Sequence, residues 1–271
     1  MGVMELKPKT IYSFSRLTSV DSCAYGFYKS YVLEEKGEAN AFALGGSFGH
    51  ELCEGVAKKE ITTQKASARF KAEWFEKVYL DYPKFPSGYD LKSHYYKKCQ
   101  PFFDRKAYWK GEVVSVEEHV VFTLPSGEKF QGFIDLVIKQ DNSSIDFVDW
   151  KISKKFSKED LIKKQRQLYL YAYAYHQIHG VYPKRLIFSF FQDASSPIII
   201  DFQKYYMDEA VQWAELQIGK IKLMTGLDEF EPNINDLMEP DGSRNMYCNA
   251  LCNHRSSCKF VEGNFFKRDV E

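Results

Sequence analysis

Alternating apolar and polar residues between positions 112 and 150 predict three consecutive β-strands joined by short turns. The strands are expected at Glu112–Leu124, Phe130–Lys139 and Ile145–Trp150. Elsewhere, apolar residues three and four positions apart predict helices. The predicted helices are Ser13–Tyr31, Ser47–Lys59, Ser67–Leu80, Leu91–Lys110, Lys158–His179 and Asp208–Met224. Two further extended segments are expected at Arg185–Gln192 and Ile198–Phe202.

The register of the second predicted hairpin brings two aspartates together. If Lys139 pairs with Ile145, Asp135 lies directly opposite Asp149, and their Cβ atoms are about 4.5–5.5 Å apart. Lys151 follows Asp149 by two residues, so it shares that face of the strand. The pattern therefore predicts two carboxylates and one amine converging at the end of a strand.

Both aspartates sit in apolar runs, Phe-Ile-Asp-Leu-Val-Ile and Phe-Val-Asp-Trp. Two carboxylates this close in a partly buried place push one pKa upward unless a cation relieves them. Oxygen ligands suit Mg²⁺ or Mn²⁺. The alternative is that both are exposed residues of an edge strand next to turns.

Other polar residues are candidates for the same place. His50 lies in the first turn of the second predicted helix, although a partly buried core histidine is the commoner role. Gln167 and Tyr171 are four positions apart on one helix face; the alternative for this pair is simple core packing. Glu117 or Glu118 could reach the aspartates from the first strand, but exposed strand glutamates are more common.

A basic run follows Lys151 and is interrupted only by a few acidic residues. Such a run usually forms a solvated face, but beside a metal site it is also a candidate phosphate track. Its members are Lys154, Lys155, Lys158, Lys163, Lys164 and Arg166.

Composition narrows the class of protein. The chain has 271 residues, 44% hydrophobic and 27% charged, with zero formal net charge, so no global basic field indicates nucleic acid. The amino terminus does not read as a signal peptide, and no apolar run reaches membrane-spanning length. A cytoplasmic protein is expected, and the missing Gly-x-x-x-x-Gly-Lys-Ser/Thr loop argues against an ATPase or helicase.

Three of the six cysteines lie close together near the carboxyl end, at Cys248, Cys252 and Cys258. In a reducing compartment, clustered thiolates favour Zn²⁺ or an iron–sulfur cluster. The fourth ligand would be His254 in a Cys₃His zinc site, or the distant Cys23. A metal-free set of buried thiols is the alternative. Cys53 and Cys99 lack such neighbours and are expected to be core thiols.

Several motifs occur in one order along the chain. They are Ser13-Phe-Ser-Arg-Leu with Cys23, Gly46-Ser-Phe-Gly-His50, Gly132-Phe-Ile-Asp135, Asp149-Trp-Lys151, Gln167-Leu-Tyr-Leu-Tyr171-Ala, and the three carboxyl-terminal cysteines. Together they resemble the RecB-type branch of the PD-(D/E)XK nuclease superfamily, in its iron–sulfur-containing subgroup. The resemblance covers most of the chain. The Cys248–Cys252 gap is one residue longer than the Cys-x₂-Cys spacing common in that subgroup.

The resemblance assigns roles to these residues. It implies that Mn²⁺ or Mg²⁺ is held by His50, Asp135, Asp149 and the Trp150 carbonyl. Lys151 would orient or help deprotonate the attacking water, and Gln167 and Tyr171 would position Lys151 or the DNA strand. A [4Fe–4S] cluster, with Zn²⁺ as the alternative, would be held by Cys23, Cys248, Cys252 and Cys258. The residues expected to contact DNA are Lys154, Lys155 and Lys158.

The resemblance also implies a fold. It is an α/β restriction-endonuclease-like core with a central mixed sheet flanked by helices, occupying residues 112–225. A helical portion precedes it at 1–111. A cysteine-bearing tail at 226–271 would pack back on the first helix, so the chain is expected to be one domain.

The implied function is a metal-dependent exonuclease acting on single-stranded DNA or duplex ends in recombination, repair, phage or CRISPR DNA processing. Its expected partners are DNA, a separate helicase or a recombination or CRISPR-adaptation protein, and a second copy of itself. It would be cytoplasmic, associated with the nucleoid, and phage-encoded in one version of this hypothesis. The competing functions are a catalytically silent DNA-binding scaffold and a zinc-stabilised interaction module.

Overall fold

A three-stranded antiparallel meander forms the centre of the computed structural model, which describes residues 11–80, 82, 90–224, 230–232 and 247–260. Its strands are β2 (Glu112–Thr123), β3 (Lys129–Lys139) and β4 (Ile145–Lys151). Lys139 pairs with Ile145, and the ladder continues to Leu136 opposite Val148. The predicted meander and the pairing of Lys139 with Ile145 are therefore confirmed, but the ladder stops one pair before Asp135 and Asp149.

Three more strands complete a mixed six-stranded sheet. β5 (Arg185–Phe190) runs parallel to β4, and β6 (Ile198–Asp201) runs antiparallel to β5. β1 (Tyr12–Ser13) pairs in parallel with β3. The predicted central mixed sheet is confirmed. β1 was not predicted, because two residues are too short to show an alternating pattern.

The middle of β3 lacks a strand on one edge. β2 pairs along the whole of the other edge, so β1 and β4 must share the remaining one. β1 covers Phe130 and Gln131, whereas β4 covers Leu136–Lys139. In the described part of the chain, no strand pairs with residues 132–135 on this edge. Asp135 lies at that gap, where side chains take the place of a ladder.

Helices cover both faces of the sheet and enclose two separate cores. One core contains α3 (Ala41–Ala57), α4 (Thr63–Lys77) and α5 (Leu91–Phe103), which pack on Val148 and Trp150. The other contains α1 (Phe14–Ser22), α6 (Lys158–His179) and α7 (Lys204–Leu223), which pack on Phe147 and Phe188. Trp150 and Phe147 are fully buried, and each such side chain contributes about 2–3 kcal/mol by leaving water.

The first predicted helix, Ser13–Tyr31, is wrong as one continuous element. Ser13 caps α1 by accepting the Arg16 N–H at 3.2 Å, but the helix ends at Ser22. Cys23 has extended backbone, and its Sγ accepts the Gly26 N–H at 3.4 Å, which caps α2 (Ala24–Phe27). A π-helical turn, Tyr28–Val32, follows. The helix is interrupted because the Cys23 side chain caps the start of α2 and Cys23 does not continue α1.

The second helix begins earlier than predicted and includes its glycines. Asn40 caps α3 by accepting the Ala43 N–H at 2.8 Å. A Cβ at Gly49 would lie 2.2 Å from the ring of Phe191, and one at Gly45 would lie 2.7 Å from Ile152. The glycines therefore let α3 approach the chain segments that leave β4 and β5. This close packing brings His50 to the end of β4.

Helix α6 has the predicted bounds, and its ends have clear chemical causes. Ser157 accepts the Asp160 N–H at 3.1 Å at the start, and Gly180 ends the helix with a left-handed φ of 74°. Within the described ranges, no helix combines the length and apolar character needed to cross a bilayer. The predicted tail at 226–271 falls largely outside the described residues.

The described carboxyl-terminal segment, 247–260, packs against the region after Cys23. Buried Lys29 donates to the Ser257 carbonyl at 2.9 Å. Ser30 Oγ lies 2.7 Å from His254 Nε2, and His254 is only 4% exposed. Asn40 Nδ2 donates to the Leu251 carbonyl at 3.1 Å. Polar contacts thus fasten the segment to the amino-terminal helices.

Candidate active site

Three side chains that could hold a metal ion converge from three elements at the gap beside β3. They are His50 from α3, Glu117 from β2 and Asp135 from β3, with one ligand atom from each lying within 4.8 Å of the others. His50 Nδ1 lies 3.7 Å from Glu117 Oε1 and 3.8 Å from Asp135 Oδ2. An imidazole and two carboxylates are suitable ligands for a hard or borderline divalent cation.

Glu117 reaches this group through an unusual backbone conformation. Its φ is +49°, in the left-handed region that costs a non-glycine residue about 1–2 kcal/mol. The pairs Val116–Leu136 and Glu118–Ile134 flank it, so Glu117 lies across from Asp135. Its neighbour Glu118 instead contacts His179 at 2.7 Å. The sequence left these two glutamates equivalent, because a left-handed glutamate has no signature in the residue pattern.

The backbone of Trp150 connects His50 to Asp135. Its N–H donates to Asp135 Oδ2 at 2.7 Å, and its carbonyl oxygen lies 2.9 Å from His50 Nε2. The N–H and C=O of this one residue, which belong to two successive peptide units, thereby hold both side chains. The Trp150 carbonyl, which the resemblance implied as a metal ligand, lies next to His50.

Lys151 lies on the other side of the strand, next to Asp149. Its Nζ is 2.7 Å from Asp149 Oδ2 and donates to Gln167 Oε1 at 3.4 Å. Gln167 Nε2 donates to the Tyr171 hydroxyl at 2.9 Å. The ring of Tyr171 occupies the space where a Cβ at residue 132 would be, only 2.2 Å from Cε1, so glycine is required at Gly132.

The structure therefore brings together His50, Asp135, Asp149, Lys151, Gln167 and Tyr171, together with the Trp150 peptide. It adds Glu117, which the sequence did not select. Asp149 contacts Lys151 rather than joining the group of three ligand atoms.

The charges at this place are out of balance. Burial, followed by the charge of Asp149, raises the pKa of Asp135. Burial lowers the pKa of His50, but the contact with Glu117 and the charge of Asp135 outweigh it and raise that pKa to about 9. Burial also lowers the pKa of Lys151, but the charges of Asp149 and Asp135 give a net increase. The site retains protons because its carboxylates outnumber its nearby cations.

Solvent reaches the group through a cleft of about 370 Å³. The cleft is lined by Gly46, Ser47, His50, Glu54 and Glu117. Its acidic lining would repel a phosphodiester unless a cation were bound. A divalent ion at the three ligands would remove this obstacle.

The lysines of the basic run differ in how near they lie to Lys151. Lys154, Lys155 and Lys158 are exposed around the β4–α6 connection and the start of α6. Lys164 on α6 is exposed as well. Partial desolvation, followed by the positive charge of Lys151, lowers its pKa, so Lys164 lies near Lys151.

The cysteines fall into two groups. Burial raises the pKa of the Cys23 thiol, and the charges of Cys252 and Cys258 raise it further, so these three lie near one another. Burial, then the charges of Cys252, Cys23 and Cys248, likewise raises the pKa of Tyr247. Cys53 and Cys99 are fully buried in the α3–α5 core, which confirms them as core thiols. The described His/Glu/Asp group contains no cysteine.

Comparisons with known proteins identify the family and a protein of similar fold. The sequence profile of the PD-(D/E)XK nuclease superfamily matches residues 11–259. A crystal structure of a protein from Eubacterium rectale, named "Putative exonuclease", is similar in fold, with a TM-score of 0.50 at 16% identity. The match covers 93% of this chain and 90% of that one.

A second solved structure, that of SSO0001, matches with a TM-score of 0.31 and 15% identity. This match covers 76% of this chain and 84% of the other. No curated protein matches the sequence.

Proposed function

The chain belongs to the PD-(D/E)XK nuclease superfamily, and we propose that it is a divalent-metal-dependent deoxyribonuclease that degrades DNA from single-stranded or frayed ends. The observation that carries the proposal is the unbalanced cluster of Glu117, Asp135 and Asp149 beside His50 and Lys151, of which His50 and Glu117 line a cleft. A phosphodiester is anionic, so this cluster suits it only with a cation present.

The residues fit such a cation. The Trp150 carbonyl accepts from His50 Nε2 at 2.9 Å, which leaves Nδ1, the nitrogen that faces Glu117 and Asp135, as the imidazole atom for a metal ion. Glu117 and Asp135 supply carboxylate oxygens on the same side. A bound Mn²⁺ or Mg²⁺ would acidify water and offset charge that develops on the phosphate. His50 Nδ1, Asp135 and Glu117 would hold it, and the Trp150 carbonyl and Asp149 would be close by.

The remaining residues orient the reaction. Asp149 keeps the Lys151 ammonium at the strand end, and Gln167 fixes it from α6. Lys151 is therefore positioned to hold a phosphate oxygen or to orient the attacking water. Tyr171 holds Gln167, so the chain Tyr171–Gln167–Lys151 sets the direction of the amine. Lys154, Lys155 and Lys158 would follow the DNA backbone away from the site, and Lys164 is a further basic group beside it.

The test is degradation of end-labelled DNA with Mn²⁺, Mg²⁺ or EDTA. Wild type should release label with either metal and not with EDTA, and Lys151→Ala should be inactive. Lys139→Ala, at the other end of the same hairpin, is the matched control and should remain active. If wild type with its metals intact leaves linear, circular and duplex DNA untouched, the proposal fails and a DNA-binding scaffold takes its place.

We also propose that the protein belongs to the RecB-type, iron–sulfur-containing subgroup, with Cys23, Cys248, Cys252 and Cys258 as cluster ligands. The charges of Cys252 and Cys258 act on the Cys23 thiol, which supports a shared centre, and thiolate sulfur suits iron. Among the described residues, no three cysteine sulfurs lie within 4.8 Å of one another. The tail at 226–271 would then be a cross-link between the ends of one nuclease domain. Because His254 is buried against Ser30, Cys23 is the better fourth ligand.

Iron and acid-labile sulfide analysis of anaerobically purified protein tests this assignment. Wild type should contain both, Cys23→Ser should lose them, and Cys53→Ser should keep them because Cys53 lies in the other core. Zinc without sulfide would contradict the iron–sulfur assignment and leave the nuclease proposal standing. A separate helicase or a recombination or CRISPR-adaptation protein is the partner we propose.

A further inference from the structure

Two aromatic rings stack on the open face of the β2–β3 hairpin. The rings of His119 and Phe133 are 4.5 Å apart and inclined by only 15°. Both side chains are exposed, and Phe133 is 49% accessible. His119 Nε2 lies 3.2 Å from Gln131 Oε1, which fixes the orientation of the imidazole. A flat, ordered aromatic surface is therefore presented to solvent.

This surface adjoins the candidate metal group on both strands. Phe133 precedes Asp135 by two residues on β3, and His119 follows Glu117 by two residues on β2. Two residues of a strand span about 7 Å. Gly132 and Ile134, which flank Phe133, are buried against the α6 side of the sheet. The stacked rings therefore lie on the opposite face, one step along the strands from the metal ligands.

The backbone of Phe133 adjoins the site. Gly132, the residue before it, packs directly against the Tyr171 ring. The Tyr171 hydroxyl accepts from Gln167, which contacts Lys151. The aromatic surface and the Lys151 amine are thus connected through one series of contacts.

Phe133 differs from the other exposed aromatic residues of the described chain. Phe75 and Tyr79 lie in and after α4, and Tyr205 lies on α7. Among the described strands, Phe133 is the large aromatic side chain that is more than one-third exposed. Isolated exposed apolar residues are common. This ordered pair of rings, beside the site that we propose binds phosphate, therefore calls for a functional explanation.

We propose that the His119–Phe133 pair is a stacking platform for one base of an unpaired DNA strand whose neighbouring phosphate is held at the His50–Glu117–Asp135 group. The inference rests on the proposed nuclease function. A base within a duplex has both faces covered by its neighbours, so the platform accepts a base from a single strand or a frayed end. It therefore selects unpaired DNA without selecting a sequence, since every base has a π-face.

Binding without hydrolysis tests the platform directly. Fluorescence anisotropy with a labelled single-stranded oligonucleotide, in Ca²⁺ instead of Mn²⁺, compares wild type with Phe133→Leu and Phe133→Trp. Phe133→Leu should weaken binding by about 5- to 100-fold, the loss of one stacked base, and Phe133→Trp should restore it. Val121→Ser is the matched control, because Val121 is also exposed on this hairpin and pairs with Gln131. It should bind like wild type, and all variants should keep the wild-type melting temperature.

Replacing one nucleotide of the oligonucleotide with an abasic nucleotide removes the base that would stack on Phe133. Moving one abasic nucleotide along the oligonucleotide should find one position at which wild type loses affinity. Phe133→Leu should lose nothing further there, because the two changes remove one interaction. Equal abasic losses in both proteins would overturn the platform, as would tighter binding of a blunt duplex or no binding of single strands by wild type.

The outcomes also separate the platform from the nuclease proposal. If wild type cleaves DNA in Mn²⁺ while Phe133→Leu and the abasic substitutions change nothing, the platform is wrong and the nuclease stands. If wild type and the variants show the predicted binding but wild type never cleaves, the platform stands and the nuclease proposal fails.

Discussion

The two ends of β4 hold buried aspartates in opposite electrostatic states. Asp146, near the start, is fully buried and paired with Arg185. Its Oδ1 accepts from Arg185 Nε at 3.1 Å, and Gln140 Nε2 donates to Oδ2 at 2.8 Å. Asp149, near the other end, is 2% exposed. It shares Lys151 and His50 with Asp135 and Glu117, so its surroundings carry excess negative charge.

The comparison shows that burial alone does not mark a functional carboxylate. Asp146 has its positive charge and hydrogen bonds within the chain, so its role is structural. The carboxylates at Asp135 and Asp149 outnumber the cations beside them, and we propose that a divalent cation completes this cluster. Burial, followed by the charge of Asp149, raises the pKa of Asp135, and attraction to the nearby carboxylates outweighs burial and raises the pKa values of His50 and Lys151. Functional sites characteristically concentrate such perturbations.

Neutralising one aspartate at each end should give the largest contrast. We expect Asp135→Asn to reduce DNA cleavage by at least about 10³-fold, because it removes a ligand and its charge from the site. Asp146→Asn should retain wild-type cleavage per folded molecule. Single-turnover assays, with folded protein quantified by circular dichroism, provide the measurement. Equal losses of cleavage in the two variants would contradict the distinction between a functional Asp135 and a structural Asp146.

Breaking the structural pair should affect folding instead. Arg185→Leu leaves Asp146 buried without its cation, so the free energy of unfolding should fall by about 3 kcal/mol. Urea denaturation measures the change. Lys204→Met removes an exposed pair with Asp208 and should leave stability unaltered. If Arg185→Leu matches Lys204→Met in stability, Asp146 is not held as argued.

A divalent ion should stabilise the protein by binding at the end of β4 that holds Asp149, and not at the end that holds Asp146. At a Mn²⁺ concentration 100 times Kd, wild type should gain about 2.7 kcal/mol in unfolding free energy. Glu117→Gln should reduce this gain, and Glu118→Gln should preserve it because Glu118 contacts His179. Denaturation with and without Mn²⁺ gives both values. A gain unaffected by Glu117→Gln would place the ion elsewhere.

Removing the strain at residue 117 should have the smallest effect. Glu117→Gly relieves a left-handed glutamate, worth about 1–2 kcal/mol, but adds the conformational entropy cost of glycine. Metal-free protein should therefore gain at most about 1 kcal/mol in unfolding free energy while the Mn²⁺ response falls. Loss of metal-free stability would show that Glu117 serves the fold.

Strong local patterns made much of the fold predictable. The alternation in β3 and β4 fixed the pairing of Lys139 with Ile145, and the long α6 was predicted with its observed bounds. Helix α3 was misplaced at its start because its glycines read as a loop, although they serve close packing against Phe191. The break at Cys23 was missed because helical spacing continues through it.

Only part of the candidate site could be predicted from the sequence. Asp135, Asp149 and Lys151 emerge from strand register, which sequence spacing encodes. His50 and Gln167 needed the resemblance to other proteins, because nothing local ties α3 or α6 to β4. Glu117 was not separable from Glu118, since the deciding feature is a backbone angle set by the surrounding sheet. The role of Phe133 depends on the face it shares with His119, which only the folded hairpin defines.

Anomalous diffraction from crystals soaked in Mn²⁺ tests the central claim most directly. The account predicts a strong peak between His50, Glu117 and Asp135, absent from Glu117→Gln and Asp135→Asn crystals and undiminished in Asp146→Asn crystals. A wild-type map with no peak in this cleft, or with its main peak beside Asp146, would contradict the assignment of the unbalanced end of β4 as the metal site.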